Sequence, residues 1–346
     1  MRIGLVCPYD LGATGGVQDQ VIRLQRWMEQ GGHEVKLIGP GINPGLDFVS
    51  VGPTTVIPAN GAATPVALSA NAARRVVEAL RDVDVAHIHE PLMPQVSLAA
   101  MRRASVPMVG TFHADVSRLA GTIYRFGRPL TRKWFARLNV MTAVSPIAAR
   151  VVADTGRVRI IPNGIDVDHY GGAQKRPGTV AFLGRDDERK GLRYLVEAWP
   201  QIRAEHPSAE LTVIGAEDPG RGLHGIRYTG RVSEEEKRRL LAEAAVFCAP
   251  NLSGESFGIV VVEAMASRCA IVASGLPAFV RVAGDTARYV PPADVAGIAR
   301  EIVASLHDEE RAIALGAAAE ARSRRFGREE VAAAYLSAYE RALAAA

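Results

Sequence analysis

The chain has 346 residues, of which 48% are hydrophobic and 23% are charged, and this length and balance predict two globular domains with ordinary cores. Proline interrupts the first apolar run at position 8 and no run of about 18 apolar residues follows, so we expect neither a signal peptide nor a membrane span, and a cytoplasmic location. Three widely spaced cysteines exclude a disulfide framework and a paired-cysteine metal site.

The first half predicts alternating strands and helices. A strand at residues 2–8 is followed by Gly12, Gly15 and Gly16 and by an amphipathic helix from about residue 17 to residue 30. Further strands are predicted at residues 34–39, 83–89, 107–112, 140–144 and 158–161. This alternation predicts a parallel, doubly wound α/β sheet. Since ligands lie at the carboxyl ends of such strands, His89 and His113 are expected near a ligand rather than in the core, although a structural role is the alternative.

One stretch of the first half is basic and aromatic. Residues 116–153 contain no acidic residue, and their basic and aromatic side chains are Arg118, Arg125, Arg128, Arg132, Lys133, Arg137, Arg150, Tyr124, Phe126, Trp134 and Phe135. This composition favours contact with an anionic membrane surface, and the alternative is a helix whose arginines face water and whose aromatic rings face the sheet. No nucleic-acid-binding motif accompanies the stretch, so we expect no nucleic acid partner.

The second half repeats the pattern after a linker-like segment at residues 170–178. Its strands are predicted at residues 179–183, 211–215, 227–229, 246–249, 270–273 and 288–290, and its helices at residues 192–205, 300–321 and 328–345. We therefore expect domains at residues 1–170 and 178–326, with a C-terminal helix at 327–346. Arg185 and Lys190 follow the first strand, where two cations could clamp a diphosphate; solvated surface charges are the alternative.

The turn at residues 250–258 reads P-N-L-S-G-E-S-F-G and leads directly into an apolar helix. Its glycines leave the amides of Phe257, Gly258 and Ile259 free at a helix start, which favours an anion. Glu255 and Glu263 are eight residues apart, so both carboxylates can reach the same site and accept hydrogen bonds from hydroxyl groups. The combination suits a sugar nucleotide, while the alternative is a plain strand–turn–helix.

The segment G-E-S-F-G-I-V-V-V-E-A-M-A resembles the E-x7-E segment of the retaining glycosyltransferases of family four, which have the GT-B fold. The segments M-R-I-G-L-V-C-P-Y-D, G-G-V-Q, H-I-H-E-P, T-F-H-A, I-P-N-G-I-D and F-L-G-R are similar to those of the phosphatidylinositol mannosyltransferases, so the resemblance covers nearly the whole chain. It implies two Rossmann-like domains that face a central cleft, with a C-terminal helix crossing back to the first domain.

The resemblance implies transfer of mannose from GDP-mannose, with retention, to the inositol of phosphatidylinositol. The implied catalytic residues are His113, Arg185, Lys190 and Glu255. The implied donor-binding residues are Gly16, Arg185, Lys190, Val232, Lys237, Glu255, Phe257, Gly258, Ile259 and Glu263. The implied acceptor-binding residues are Tyr9, Gln18, Asn60 and Arg118.

Some positions depart from the mannosyltransferase pattern. Residues 62–65 follow Asn60 where the family has a basic residue nearby, Arg118 replaces a lysine, and the loop at residues 185–190 is one residue shorter. The alternatives are therefore a soluble glycosyltransferase that acts on inositol phosphate or another small acceptor from a UDP-sugar, a nucleotide-sugar epimerase of the same fold, and a non-catalytic sugar-phosphate-binding protein. No cofactor or metal is required by the sequence, although magnesium stays open. We expect a monomer, either free in the cytoplasm or peripheral on the inner face of the cell membrane.

Overall fold

The computed structural model describes residues 1–346 except 60–61, 114–127, 153–155, 157, 221–222 and 346. The chain forms two compact units: the first unit consists of Met1–Asn163 with Arg328–Ala346, and the second unit is Gly164–Gly327. The α-helices are α1 (Gly16–Gln30), α2 (Ala70–Ala79), α3 (Val96–Arg103), α4 (Arg128–Phe135), α5 (Pro146–Ala149), α6 (Leu192–Glu205), α7 (Glu234–Glu243), α8 (Ile259–Ala266), α9 (Pro277–Ala283), α10 (Val295–His307), α11 (Glu309–Ser323) and α12 (Arg328–Ala344).

The first unit contains a parallel sheet in the order β3-β2-β1-β6-β7-β8-β9. Its strands are β1 (Arg2–Val6), β2 (Glu34–Gly39), β3 (Val49–Ser50), β6 (Val85–His89), β7 (Met108–Phe112), β8 (Val140–Ala143) and β9 (Val158–Ile160). Every residue of β6 and β7 is buried, as in a sheet covered on both faces. Helix α12 belongs to this unit, where Tyr335 and Tyr339 join the core formed with Leu5 and Val85.

A hairpin at one end of this unit was not predicted from the sequence. Strands β4 (Thr55–Ala59) and β5 (Ala62–Val66) pair antiparallel. Prolines 58 and 65 lie within the two strands, and proline removes a ladder donor, so the sequence does not read as strand there. The hairpin reaches the first loop of the unit, because Tyr9 forms an isolated antiparallel bridge with Val66 and the amide of Asp10 donates to Pro65.

The second unit contains a parallel sheet in the order β12-β11-β10-β13-β14-β15. Its strands are β10 (Arg176–Leu183), β11 (Glu210–Ile214), β12 (Ile226–Tyr228), β13 (Ala244–Ala249), β14 (Ala270–Ser274) and β15 (Ala287–Val290). The predicted helix at residues 300–321 is divided into α10 and α11 by Asp308. The Asp308 carboxylate accepts from the amide of Arg311 at 3.0 Å and so caps the second helix.

The two parallel sheets with flanking helices confirm the predicted α/β fold. Cys7, Cys248 and Cys269 are all buried, as expected of core thiols. Within the described part of the chain, no helix combines the length and apolar character that a membrane span requires. Phe135 of α4 is 3% exposed and packs edge-on against Phe112, so this ring faces the core, as in the alternative interpretation of the basic stretch.

Candidate functional site

In the second unit, the loops after β10 and β13 come together because these strands are neighbours in the sheet. The Leu252 amide donates to the carbonyl of Arg189 at 2.8 Å. Gly191 has a positive φ of 69°, and a Cβ there would lie 2.0 Å from the carbonyl oxygen of Pro250. Only glycine permits this close approach, which carries Lys190 to the Gly-rich turn.

Lys190 and Glu255 form an ion pair in this turn. Lys190 Nζ lies 3.0 Å from Glu255 Oε2, and the side chains are 29% and 14% exposed. The side-chain amide of Asn251 donates from Nδ2 to the same carboxylate oxygen at 3.1 Å. Two donors on one oxygen fix the carboxylate at the mouth of the turn.

The turn itself has the backbone expected of an anion site. Gly254 and Gly258 have φ of 73° and 99°, and a Cβ on Gly258 would lie 2.8 Å from the ring of Phe279. Gly258 is the N-cap residue of α8. Among the described residues, no recorded backbone hydrogen bond uses the amides of Phe257, Gly258 and Ile259.

A second ion pair holds the loop at residues 185–190 and was not predicted from the sequence. The Arg189 guanidinium lies 2.6 Å from Asp187 Oδ2 and also donates to Oδ1 at 3.1 Å. These hydrogen bonds lower the pKa of Asp187 to about 2. Arg185 is exposed, and its guanidinium forms no ion pair with another described residue. The loop therefore presents Arg185 to solvent, while Arg189 is partly buried and paired with Asp187.

Glu263 on α8 lies in a buried polar cluster. The Tyr170 hydroxyl donates to Glu263 Oε1 at 2.8 Å, and Lys237 Nζ lies 2.8 Å from the same oxygen. Burial opposes the charge of Lys237, but the charge of Glu263 and hydrogen bonds to Glu263 and Glu234 outweigh it, so the pKa of Lys237 is raised. Three other predicted donor-binding residues lie in the same unit. Phe257 is buried edge-on against Phe326, and Val232 and Ile259 are half-buried.

The first unit contains a histidine cluster, which we define as His87, His89 and His113. His87 Nδ1 lies 2.8 Å from the hydroxyl of Tyr339, and its Nε2 lies 2.6 Å from that of Thr111. His89 Nδ1 lies 2.8 Å from His113 Nε2. His89 and His113 are 1% and 6% exposed, so both side chains are buried rather than open to solvent, and their expected place near a ligand stays a prediction.

Burial controls the charge of the histidine cluster. It lowers the pKa of His87 to about 3 and the pKa of His113 to about 4, with the nearby side chain of Asn163 partly offsetting the effect at His113. Burial and the neighbouring rings also hold the pKa of His89 well below its usual value. All three rings are therefore neutral near neutral pH. The buried His89 Nε2 and His113 Nδ1 have no hydrogen-bond partner among the described residues.

The predicted acceptor residues that the structure describes are Tyr9 and Gln18, both in the first unit. Gln18 is 7% exposed and its side-chain amide donates to the carbonyl of Asp10 at 3.3 Å. The predicted donor-binding residue Gly16 begins α1 and is exposed. Tyr9 lies beside β5. Asn60 and Arg118 lie outside the described residues. In the described part of the chain, no group of three or more His, Cys, Asp or Glu side chains is arranged to hold a metal ion.

The sequence of each half of the chain matches a known family. Residues 14–169 match the model described as Glycosyltransferase Family 4, and residues 177–308 match the model described as Glycosyl transferases group 1.

Two curated relatives share 37% identity with this chain, and each is called phosphatidyl-myo-inositol mannosyltransferase. The relative from Mycolicibacterium smegmatis aligns over 98% of this chain and 94% of its own, and the one from Mycobacterium tuberculosis over 98% and 97%. Among solved structures, sucrose-phosphate synthase from Thermosynechococcus elongatus superposes over 100% of both chains with a TM-score of 0.75 at 20% identity. This last likeness concerns the fold alone.

Proposed function

Because this chain belongs to the glycosyltransferases of group 1 and family 4, we propose that it transfers mannose from GDP-mannose, with retention, to the inositol of phosphatidylinositol. The observation that carries the proposal is the 37% identity over 98% of the chain to relatives that bear the name of that activity. The donor is a nucleotide-sugar by family; guanine as its base and mannose as its sugar are part of the proposal.

The proposed diphosphate site is the turn at residues 250–258 together with Lys190 and Arg185. Support comes from the amides of residues 257–259 at the start of α8 and from the Lys190 ammonium group 3.0 Å from Glu255. Bond cleavage between the sugar C1 and the diphosphate oxygen leaves negative charge on the diphosphate. Cations and amides already in position stabilise that charge with little rearrangement.

In the proposed reaction, the inositol hydroxyl oxygen bonds to C1 and its proton passes to the departing diphosphate. The chain's residues then need only bind and orient the two substrates, and no side chain acts as the nucleophile. Glu255 holds hydroxyl groups of the transferred sugar through a carboxylate that Lys190 and Asn251 already fix. We assign His113 to a contact with the same sugar.

Glu263 is proposed to hold the ribose. Its recorded hydrogen bonds from Tyr170 and Lys237 both reach Oε1, and among the described residues none reaches Oε2. Oε2 can therefore accept hydrogen bonds from the ribose hydroxyl groups. Val232 and Lys237 are proposed to lie beside the base.

The acceptor proposal assigns Tyr9, Gln18, Asn60 and Arg118 to the inositol headgroup and places the protein at an anionic membrane surface. Arg132 and Lys133 on α4 are exposed, and Arg102 lies over the ring of Trp134 with 5.2 Å to its centroid. Exposed cations beside an aromatic ring suit the headgroup level of a bilayer. A soluble inositol phosphate as acceptor is the competing proposal.

The decisive experiment is a donor and acceptor screen by mass spectrometry. GDP-mannose and UDP-sugars are each offered with phosphatidylinositol vesicles and with soluble inositol phosphate. The proposal predicts a mannosylated lipid from GDP-mannose. Product from inositol phosphate alone supports the soluble enzyme, and conversion of a UDP-sugar without any acceptor supports the epimerase.

Two matched variants test the site in this screen. Glu255→Gln should reduce turnover roughly 100-fold while GDP affinity changes little, since the lost charge acts on the transferred sugar. Glu301→Gln is the control, because Glu301 pairs with Arg288 at 3.1 Å and is 20% exposed, close to the values of the Lys190–Glu255 pair. Equal activity of the two variants would contradict the role of Glu255.

A further inference from the structure

The buried polar cluster around Glu263 contains a residue to which sequence reasoning gave no role. Tyr170 lies just before β10 and is 8% exposed, and its hydroxyl donates to Glu263 Oε1 across a separation of 93 residues. The Arg238 guanidinium lies over the Tyr170 ring, 5.8 Å from the centroid. The ring is therefore held independently of its hydroxyl.

Tyr170 and Lys237 act on the same carboxylate oxygen. Both donor atoms lie 2.8 Å from Glu263 Oε1. A carboxyl group with one oxygen bound by two donors cannot rotate without breaking both bonds. Glu263 Oε2 is therefore held in one orientation. A ligand hydroxyl group that binds to Oε2 finds the acceptor already oriented.

The segment that contains Tyr170 also anchors α8, the helix that carries Glu263. Lys175, five residues after Tyr170, donates to the carbonyls of Ser267, Ala244 and Leu241 at 2.5, 2.7 and 3.3 Å. These carbonyls lie at the C-terminal ends of α7 and α8, where helices leave carbonyls unpaired and favour a cation. Because Lys175 anchors the helix, loss of the Tyr170 hydroxyl should affect the Glu263 side chain and not the helix backbone.

We infer that Tyr170 is a positioning residue that orients Glu263 for the ribose diol and thereby gives the donor site its selectivity for ribonucleotides over deoxyribonucleotides. This inference rests on the proposed role of Glu263 at the ribose. Tyr170 lies outside the E-x7-E segment, so donor recognition would also depend on a residue that this segment does not contain.

The test uses calorimetry of the full chain with GDP and 2′-deoxy-GDP and with UDP and 2′-deoxy-UDP, and compares affinities for the tighter-binding base. In the wild type the ribonucleotide should bind at least tenfold more tightly, since a hydrogen bond to a charged group is lost with the deoxy ligand. Tyr170→Phe keeps the ring and should reduce that ratio severalfold, with a matching rise in donor KM and little change in kcat.

The control variant is Tyr289→Phe. Tyr289 lies in the same unit and its hydroxyl donates to the carbonyl of Gly284 at 2.7 Å, so its removal also deletes a tyrosine hydrogen bond. The ribose-to-deoxyribose ratio should stay at the wild-type value in this variant. Tyr170→Phe combined with Glu263→Gln should lose no more selectivity than Glu263→Gln alone, because the two groups act as one unit.

Three results would overturn the inference. They are an unchanged ratio in Tyr170→Phe, an equal loss in Tyr289→Phe, and a wild type that binds no nucleotide or does not distinguish ribose from deoxyribose. The first two leave the proposed mannosyl transfer intact, whereas the third also removes the ribose role of Glu263. Mannosyl transfer to phosphatidylinositol is measured separately, so its failure is distinguishable from failure of the tyrosine role.

Discussion

The two units have the same doubly wound architecture but treat ionisable side chains in opposite ways. In the first unit, the histidine cluster lies on β6 and after β7, is almost fully buried, and consists of neutral rings that hydrogen bond to one another and to hydroxyl groups. In the second unit, the ends of β10 and β13 carry half-exposed or partly buried charges in pairs, such as Lys190 with Glu255. Burial without an opposite charge removes ionisation, while pairing preserves it.

The largest expected effect comes from pH. Each residue of the histidine cluster has a lower pKa in the folded chain than the usual value of about 6.5, so below that pH the unfolded chain binds more protons. Stability of the first unit should therefore fall as pH falls from about 6.5 towards about 4, by up to about 4 kcal/mol per pH unit for three groups. Hydrogen exchange followed by mass spectrometry, corrected for intrinsic rates, measures this loss in peptides of β6 and α12.

The second unit supplies the comparison in the same experiment. The pKa of Asp187 is lowered to about 2, so the stability from its pair with Arg189 is fully present above the usual carboxylate pKa of about 4 and is lost progressively as pH falls from there through about 2. Peptides of β13 should keep their protection at pH values where β6 loses it. His87→Gln should remove about a third of the slope, and His224→Gln, at an exposed position, should leave it unchanged. A uniform loss in both units would contradict this account.

The next largest effect is expected from Lys190→Ala. If Lys190 binds the diphosphate as proposed, the substitution leaves that charge uncompensated and should cost about 2 to 4 kcal/mol in kcat/KM with the nucleotide-sugar. Lys36→Ala is a close control, because Lys36 is also 29% exposed and pairs with Asp82, which is 63% exposed on the surface of the first unit. That variant should keep full activity and lose at most about 1 kcal/mol of stability. If Lys190→Ala retained activity within a few fold, the pair would be structural.

The smallest effect is expected from Tyr339→Phe, because the Tyr339 hydroxyl meets a neutral histidine, whereas the Tyr170 hydroxyl meets a carboxylate. Tyr339→Phe removes the hydroxyl that meets His87 Nδ1 and leaves a buried ring nitrogen without that partner, which should cost about 1 to 3 kcal/mol of local stability at α12. Nucleotide affinity should not change, unlike in Tyr170→Phe. Hydrogen exchange of α12 and calorimetry with GDP measure the two quantities, and reduced GDP binding by Tyr339→Phe would contradict the separation.

Much of the local structure could be predicted from the sequence. The predicted strands and helices hold to within a few residues, because parallel strands buried on both faces leave short continuous apolar runs between the helices. The exceptions have local causes. Prolines hide the β4–β5 hairpin, and a capping aspartate divides α10 from α11.

The sequence by itself determined the α/β class, the Gly-rich turn before α8 and the family motifs, since each depends on residues that are neighbours along the chain. Only the tertiary structure decided which distant groups meet. The bond from Tyr170 to Glu263 spans 93 residues, that from Lys190 to Glu255 spans 65, and that from His87 to Tyr339 spans 252. It also decided that the histidine cluster is neutral, because pKa depends on burial and on neighbours that the fold, not the order of residues, brings into contact.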